Sequence, residues 1–126
     1  LLGHWAVWTE KAVMLMEEIK QIRKDSEYLP AELLSKGVEI TDANAAFFDP
    51  AHQFKGCIPG IHEVLRRQGL LEGRWCLNPE EVLSPGQMEE IDRVYRVYPH
   101  LHDDEFVREN LDRWLSNSPV NARRKV

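Results

Sequence analysis

Between Thr9 and Leu115 the apolar residues recur every three or four positions, and that spacing restricts most of the chain to helices. Over residues 9–24, Ala12, Val13, Leu15, Met16, Ile19 and Ile22 make one stripe, opposite Glu10, Glu17, Glu18 and Arg23. Pro30 suits a first helical position and Gly37 a left-handed stop, so a short second helix is expected over 30–36. Residues 38–49 read two ways. Val38 and Ile40 alternate like a strand, whereas Ile40, Ala43, Phe47 and Phe48 keep helical spacing, and a helix from Glu39 that ends before Pro50 is favoured. Pro59 is expected to open a helix carrying Ile61, Val64 and Leu65 on one side, with Gly69 as its stop. Ser84-Pro85-Gly86-Gln87 combines a capping hydroxyl, a first-turn proline and a glutamine placed to reach back to the cap. Met88, Ile91, Val94, Tyr95 and Tyr98 continue that helix until Pro99. Asp103 or Asp104 can cap a last one bearing Phe106, Val107, Leu111, Trp114 and Leu115.

What the pattern lacks is equally informative. Parallel strands buried on both faces read as Val/Ile-rich runs, and only 5–8 and 38–41 come near. Residues 73–79 read as extended or irregular, and 116–126 as a disordered tail with little apolar content. The expected class is mostly α, in one domain or less. A net charge of −5 with no basic stripe argues against a nucleic-acid partner. Charged residues interrupt every apolar run well short of the roughly 18 residues that span a bilayer, so no membrane partner is expected. The opening Leu1-Leu2-Gly3-His4 looks cut, and its two leucines are too short for a secretory signal. Cys57 and Cys76 lack the density of a secreted disulfide scaffold, which favours a reducing, cytoplasmic compartment.

Candidate chemistry is sparse. His100-Leu101-His102-Asp103-Asp104 has a composition that divalent metals tolerate, yet no further ligand is spaced to close a site, so a polar turn is the plainer reading and no metal or cofactor is expected. His4, His52 and His62 stand apart. Cys57 and Cys76 have no CxxC spacing and read as inert thiols. Core packing is the expected fate of at least three of Trp5, Trp8, Trp75 and Trp114, while His4, Trp5 and Trp8, just ahead of the first helix, are candidates for a pocket rim.

The stretch from Phe54-Lys55-Gly56-Cys57-Ile58-Pro59-Gly60 through Gln68-Gly69-Leu70-Leu71-Glu72-Gly73-Arg74-Trp75-Cys76-Leu77, followed by Leu83-Ser84-Pro85-Gly86-Gln87-Met88-Glu89-Glu90-Ile91, resembles the end of a dihydrodipicolinate synthase and N-acetylneuraminate lyase family chain. In that family a proline-led helix ends at Gly-Leu, a short apolar piece follows, and a Leu-Ser capped helix comes next. The resemblance implies the C-terminal segment of a (β/α)8 TIM-barrel protein with a helical C-terminal extension: residues 1–38 as the last barrel loop and helix region, 39–115 as the extension, and 116–126 as the tail. A whole barrel needs about 250 residues. A second register instead makes 38–48 and 54–61 the seventh and eighth strand regions. The pattern departs from the family in placing Asp49-Pro50 upstream of the usual Asn-Pro, and His62 or Glu63 where a Lys is usual.

The implied activity is that of a lyase or aldolase acting on a 2-oxo acid such as pyruvate through a lysine imine, in a homo-oligomer. Imine formation needs an amine made neutral by desolvation. The family's lysine, on the sixth strand, and its relay tyrosine, on the fourth, are expected upstream of Leu1, so this chain alone is expected to be inactive. Lys11, on a polar helical face, and Lys55, in a loop, read as solvated lysines. The alternative from another class is a self-standing helical interaction domain without catalysis.

Overall fold

The computed structural model describes residues 4–116. Five α-helices carry the chain: α1 (Thr9–Asp25), α2 (Ala31–Phe48), α3 (Cys57–Arg67), α4 (Gln87–Val97) and α5 (Asp104–Leu115). Single 3-10 turns occupy His4–Ala6 and Pro50–His52, and the described residues contain no strand. The chain is mostly helical, as the spacing required.

The centre is the C-terminal half of α2, which packs against both α3 and α4. Ala43, Ala46 and Phe47 meet Val64 of α3 and Ile91 and Val94 of α4, and Val7, Trp8 and Leu101 close the cluster. Full burial of a side chain such as Phe47 or Ile91 stabilises by roughly 1.5–3 kcal/mol. Phe47 is 0% exposed and meets the Trp8 ring edge to face at 4.8 Å. Trp8 takes a left-handed backbone at the start of α1, φ 53°, which turns its ring inward ahead of the helix. By contrast α1 itself buries only Ala12.

Gly60 sets the spacing of α2 and α3. A Cβ there would lie 2.1 Å from the Phe47 carbonyl oxygen, so only glycine lets the two backbones approach this closely.

Several expectations change. The helix forecast for 30–36 does not stop at Gly37: α2 runs through to Phe48 as one rod. Glycine inside a helix costs about 1 kcal/mol relative to alanine, which the anchoring of Ala43, Ala46 and Phe47 outweighs. Pro59 is the third residue of α3, not its opener. The helix begins at Cys57, and a proline in the first turn lacks only an N–H that would have no helical partner. At α4 the glutamine half of the forecast cap is present, with Ser84 N donating to Gln87 Oε1 at 3.0 Å, while the Ser84 hydroxyl turns away to Asp49. Of the four tryptophans only Trp8 is buried. Trp75 is 75% exposed in the irregular 73–79 segment and Trp114 40% exposed on α5, because those segments have no layer packed over them. The forecast tail lies, after Ser116, outside the described residues.

Candidate functional site

Two polar clusters rigidify the core, and an apolar groove lies beside it. The first cluster centres on Asp49, 4% exposed, which ends α2 with a left-handed backbone. Its carboxylate accepts hydrogen bonds from Ser84 Oγ (2.5 Å), the His52 ring (2.6 Å) and the Gly56 amide (2.9 Å). Burial raises its carboxyl pKa, but the Ser84, His52 and Gly56 bonds prevail and hold it below the ordinary carboxylate range. Beside it the buried Gln87 amide donates to the Gly56 carbonyl at 2.9 Å and lies 3.2 Å from that of Ala46. Asp49, His52 and Ser84 do not form a nucleophile relay: the serine donates to the aspartate, whereas activation of a serine requires it to donate to the histidine.

The second cluster surrounds Glu63, 1% exposed. Arg66 Nε and Arg67 Nε each donate to it at 2.9 Å, and Arg74 Nε stands 3.7 Å away. Burial pushes the Glu63 carboxyl up, and the Arg66 and Arg67 guanidiniums more than reverse that. Arg67 continues to Asp92 and lies over the Tyr95 ring at 5.0 Å. These contacts tie α3 to α4. Among the described residues no three His, Cys, Asp or Glu side chains are placed to hold a metal.

The groove, about 450 Å³, lies between the start of α1, the end of α3 and α5. Val13, Met14, Leu65, Phe106, Val107 and Trp114 form most of its wall, and Trp8 its floor. Its polar groups are few. Asp103 Oδ1 accepts from Gln68 Nε2 at 2.7 Å, and Oδ2 from the Glu10 amide at 3.0 Å, so Asp103 holds the N-cap position of α5 while its carboxylate bonds the first turn of α1.

Of the three rim candidates, Trp8 and not His4 or Trp5 lines this groove. His4 Nδ1 lies 3.1 Å from Asn44 Oδ1, and Trp5 accepts a bond at its carbonyl from the Thr9 hydroxyl. The His100–Asp104 run is dispersed: His100 pairs with Glu39 at 2.8 Å, and His102 stacks on Tyr95 with Asp104 at 3.6 Å. Burial pushes both thiols up, aided by Asp49 at Cys57 and by Glu81 at Cys76, which disfavours a reactive thiolate at either. Lys11 is ion-paired with Glu10 at 3.5 Å, and Lys55 is exposed. Sequence reasoning missed Asp103 and Gln68 as a linked pair. The buried polar pairing of residues 35 apart leaves no periodic trace.

No family model, no curated protein and no solved structure matches the chain. None of the described helices is long and apolar enough to cross a membrane.

Proposed function

We propose that this chain is the helical C-terminal part of a dihydrodipicolinate synthase-like lyase, cytoplasmic and homo-oligomeric, which acts on a pyruvate-like 2-oxo acid through a lysine imine formed outside residues 1–126. The observation that carries the reading is an uncovered apolar face. Leu34 and Val38, one turn apart on α2, are 62% and 70% exposed, next to Leu29 and Tyr28 at 62% and 82%. A face of that kind calls for a further layer of protein over it. Support also comes from the residues behind the resemblance: Gly56, Gly60, Ser84 and Gln87 are the ones that lock α2, α3 and α4 together. The lysines are consistent with a nucleophile elsewhere. An imine lysine needs desolvation to be neutral, and Lys55 is exposed while Lys11 sits beside a carboxylate.

The test is borohydride trapping with pyruvate on this chain and on the longer protein encoded with it, read by intact mass. An adduct on the longer protein alone supports the reading, whereas an adduct on this chain places the nucleophile among its own lysines and overturns it. The same exposed face also suits a self-standing interaction domain. That reading prevails if the coding sequence upstream of Leu1 carries no barrel strands.

A further inference from the structure

The groove between α1 and α5 lies apart from the Leu34–Val38 face and has a chemistry of its own. Its apolar wall opens into an acidic cleft of about 530 Å³ that shares Glu10, Asp103 and Phe106 with it and adds Glu105 and Glu109. The basic side chains facing this cleft already have partners: Lys11 meets Glu10, His100 meets Glu39 and His102 meets Asp104. Glu105 holds Arg108 at 3.2 Å on its own helix. Glu109 has no ion pair among the described residues, and the buried Glu10 Oε2 meets Lys11 Nζ at 3.5 Å without a hydrogen bond. The wall is thus apolar at one end and carries surplus carboxylate at the other, an arrangement that repels an acidic occupant and attracts a cationic one.

We propose that this groove binds a helix of a partner polypeptide that presents apolar side chains one turn apart, followed by a Lys or Arg. The two helical walls suit a helix laid between them, with its apolar stripe against Val13, Leu65 and Phe106 and its cation beside Glu10 and Glu109. Trp114, 40% exposed at the rim, supplies an aromatic surface of the type that dominates binding energy at such contacts. The Leu34–Val38 face of a second copy is a poor occupant: it carries Glu32 and Glu39, and its Lys36 is already paired with Glu18 at 2.7 Å.

The experiment is isothermal titration of the chain with two synthetic helical peptides of equal length, one of leucine and lysine, the other of leucine and glutamate. The lysine peptide is expected to bind at least about tenfold more tightly, with affinity falling as salt rises. Glu10→Gln and Glu109→Gln should each weaken it by up to about fivefold, the equivalent of roughly 1 kcal/mol, and Trp114→Ala should weaken it with the fold intact by circular dichroism. Equal binding of the two peptides, or binding of neither, overturns the proposal. So does lysine-peptide binding that Trp114→Ala leaves unchanged, because that is adhesion to an acidic surface. Peptide-induced dissociation of a dimer would assign the groove to a second copy instead. The assay uses only this chain, so its outcome is independent of the borohydride result.

Discussion

Gln87 Nε2 donates a hydrogen bond of 2.9 Å to the carbonyl of Gly56, 31 residues earlier, and so fastens the start of α4 to the start of α3. The same side chain accepts from Ser84 N and is 3% exposed. Gln87→Leu keeps the volume but leaves buried carbonyls and an amide without partners, each costing about 1–3 kcal/mol. A loss of roughly 2–4 kcal/mol is expected in urea unfolding, against little change for Glu89→Gln on the exposed side of the same helix. A loss under about 0.5 kcal/mol, the range of ordinary surface changes, would show that water replaces these bonds.

Two glycines give opposite predictions for the same substitution. Gly60→Ala drives a methyl to 2.1 Å from the Phe47 carbonyl and 2.7 Å from the Gln87 amide, so α2 and α3 must separate. Overpacking of this kind costs about 1–3 kcal/mol, with more expected where backbone must move. Gly37→Ala meets nothing within 4 Å inside α2 and should stabilise by roughly 0.5–1 kcal/mol. Thermal melts of the two variants should shift in opposite directions. A stabilised Gly60→Ala would contradict the close approach.

The helices are legible because apolar spacing is a local signal: Val64, Ile91 and Val94 fall on helical stripes, and Ala43 and Phe47 keep helical spacing in a segment that also reads as a strand. The fusion of two forecast helices into α2 was not legible. Gly37 carries a strong local stop signal, while the packing that overrides it comes from α3 and α4, far along the chain. The candidate groove was barely legible. The sequence marks Trp8 and offers Asp103 or Asp104 as a cap for the last helix, but nothing in it points to the Glu10 amide, 93 residues away, as the partner of the Asp103 carboxylate. Long-range polar pairing follows the tertiary fold and does not appear in residue spacing.

Glu63 offers a test of buried charge. Glu63→Ala removes an acceptor that holds Arg66 and Arg67 and leaves Arg67, 21% exposed, without its buried partner. Loss of one member of a buried pair costs about 3–5 kcal/mol, and the lower end is expected here because Asp92 still holds Arg67. Arg66→Ala should cost under about 1 kcal/mol, since that side chain is 44% exposed. Chemical denaturation of both variants checks the ranking. Equal losses would mean that Arg66, not burial of Glu63, carries the cluster.

Acid should destabilise the fold. The Asp49 and Glu63 carboxyls are held below their ordinary values, Asp49 by Ser84, His52 and Gly56 and Glu63 by Arg66 and Arg67, each against the opposing effect of burial. At Asp42 the Arg93 and Tyr98 bonds act in the same direction. A depressed native pKa means that the unfolded chain binds more protons, so the stabilisation is complete above the ordinary carboxylate values near 4 and is lost as pH falls through the native ones. The urea midpoint should be flat between about pH 5 and 7 in this respect and drop below about pH 4. Asp49→Asn should lower stability at neutral pH and make that drop shallower. An unchanged acid slope would remove Asp49 from the account.

Among the described residues nothing covers the Leu34 and Val38 face, and an apolar patch left in water promotes association. Sedimentation of the chain at micromolar concentration should therefore show dimers or larger species that grow with concentration. Replacing both residues, Leu34→Lys with Val38→Lys, should give a monomer. Each is at least 62% exposed, so the pair should leave the melting temperature within the small range of surface changes. The groove would be untouched, and peptide binding there should survive in the monomeric variant. A chain that is monomeric without substitution would show that this face tolerates water, and the proposed covering layer would lose its main support.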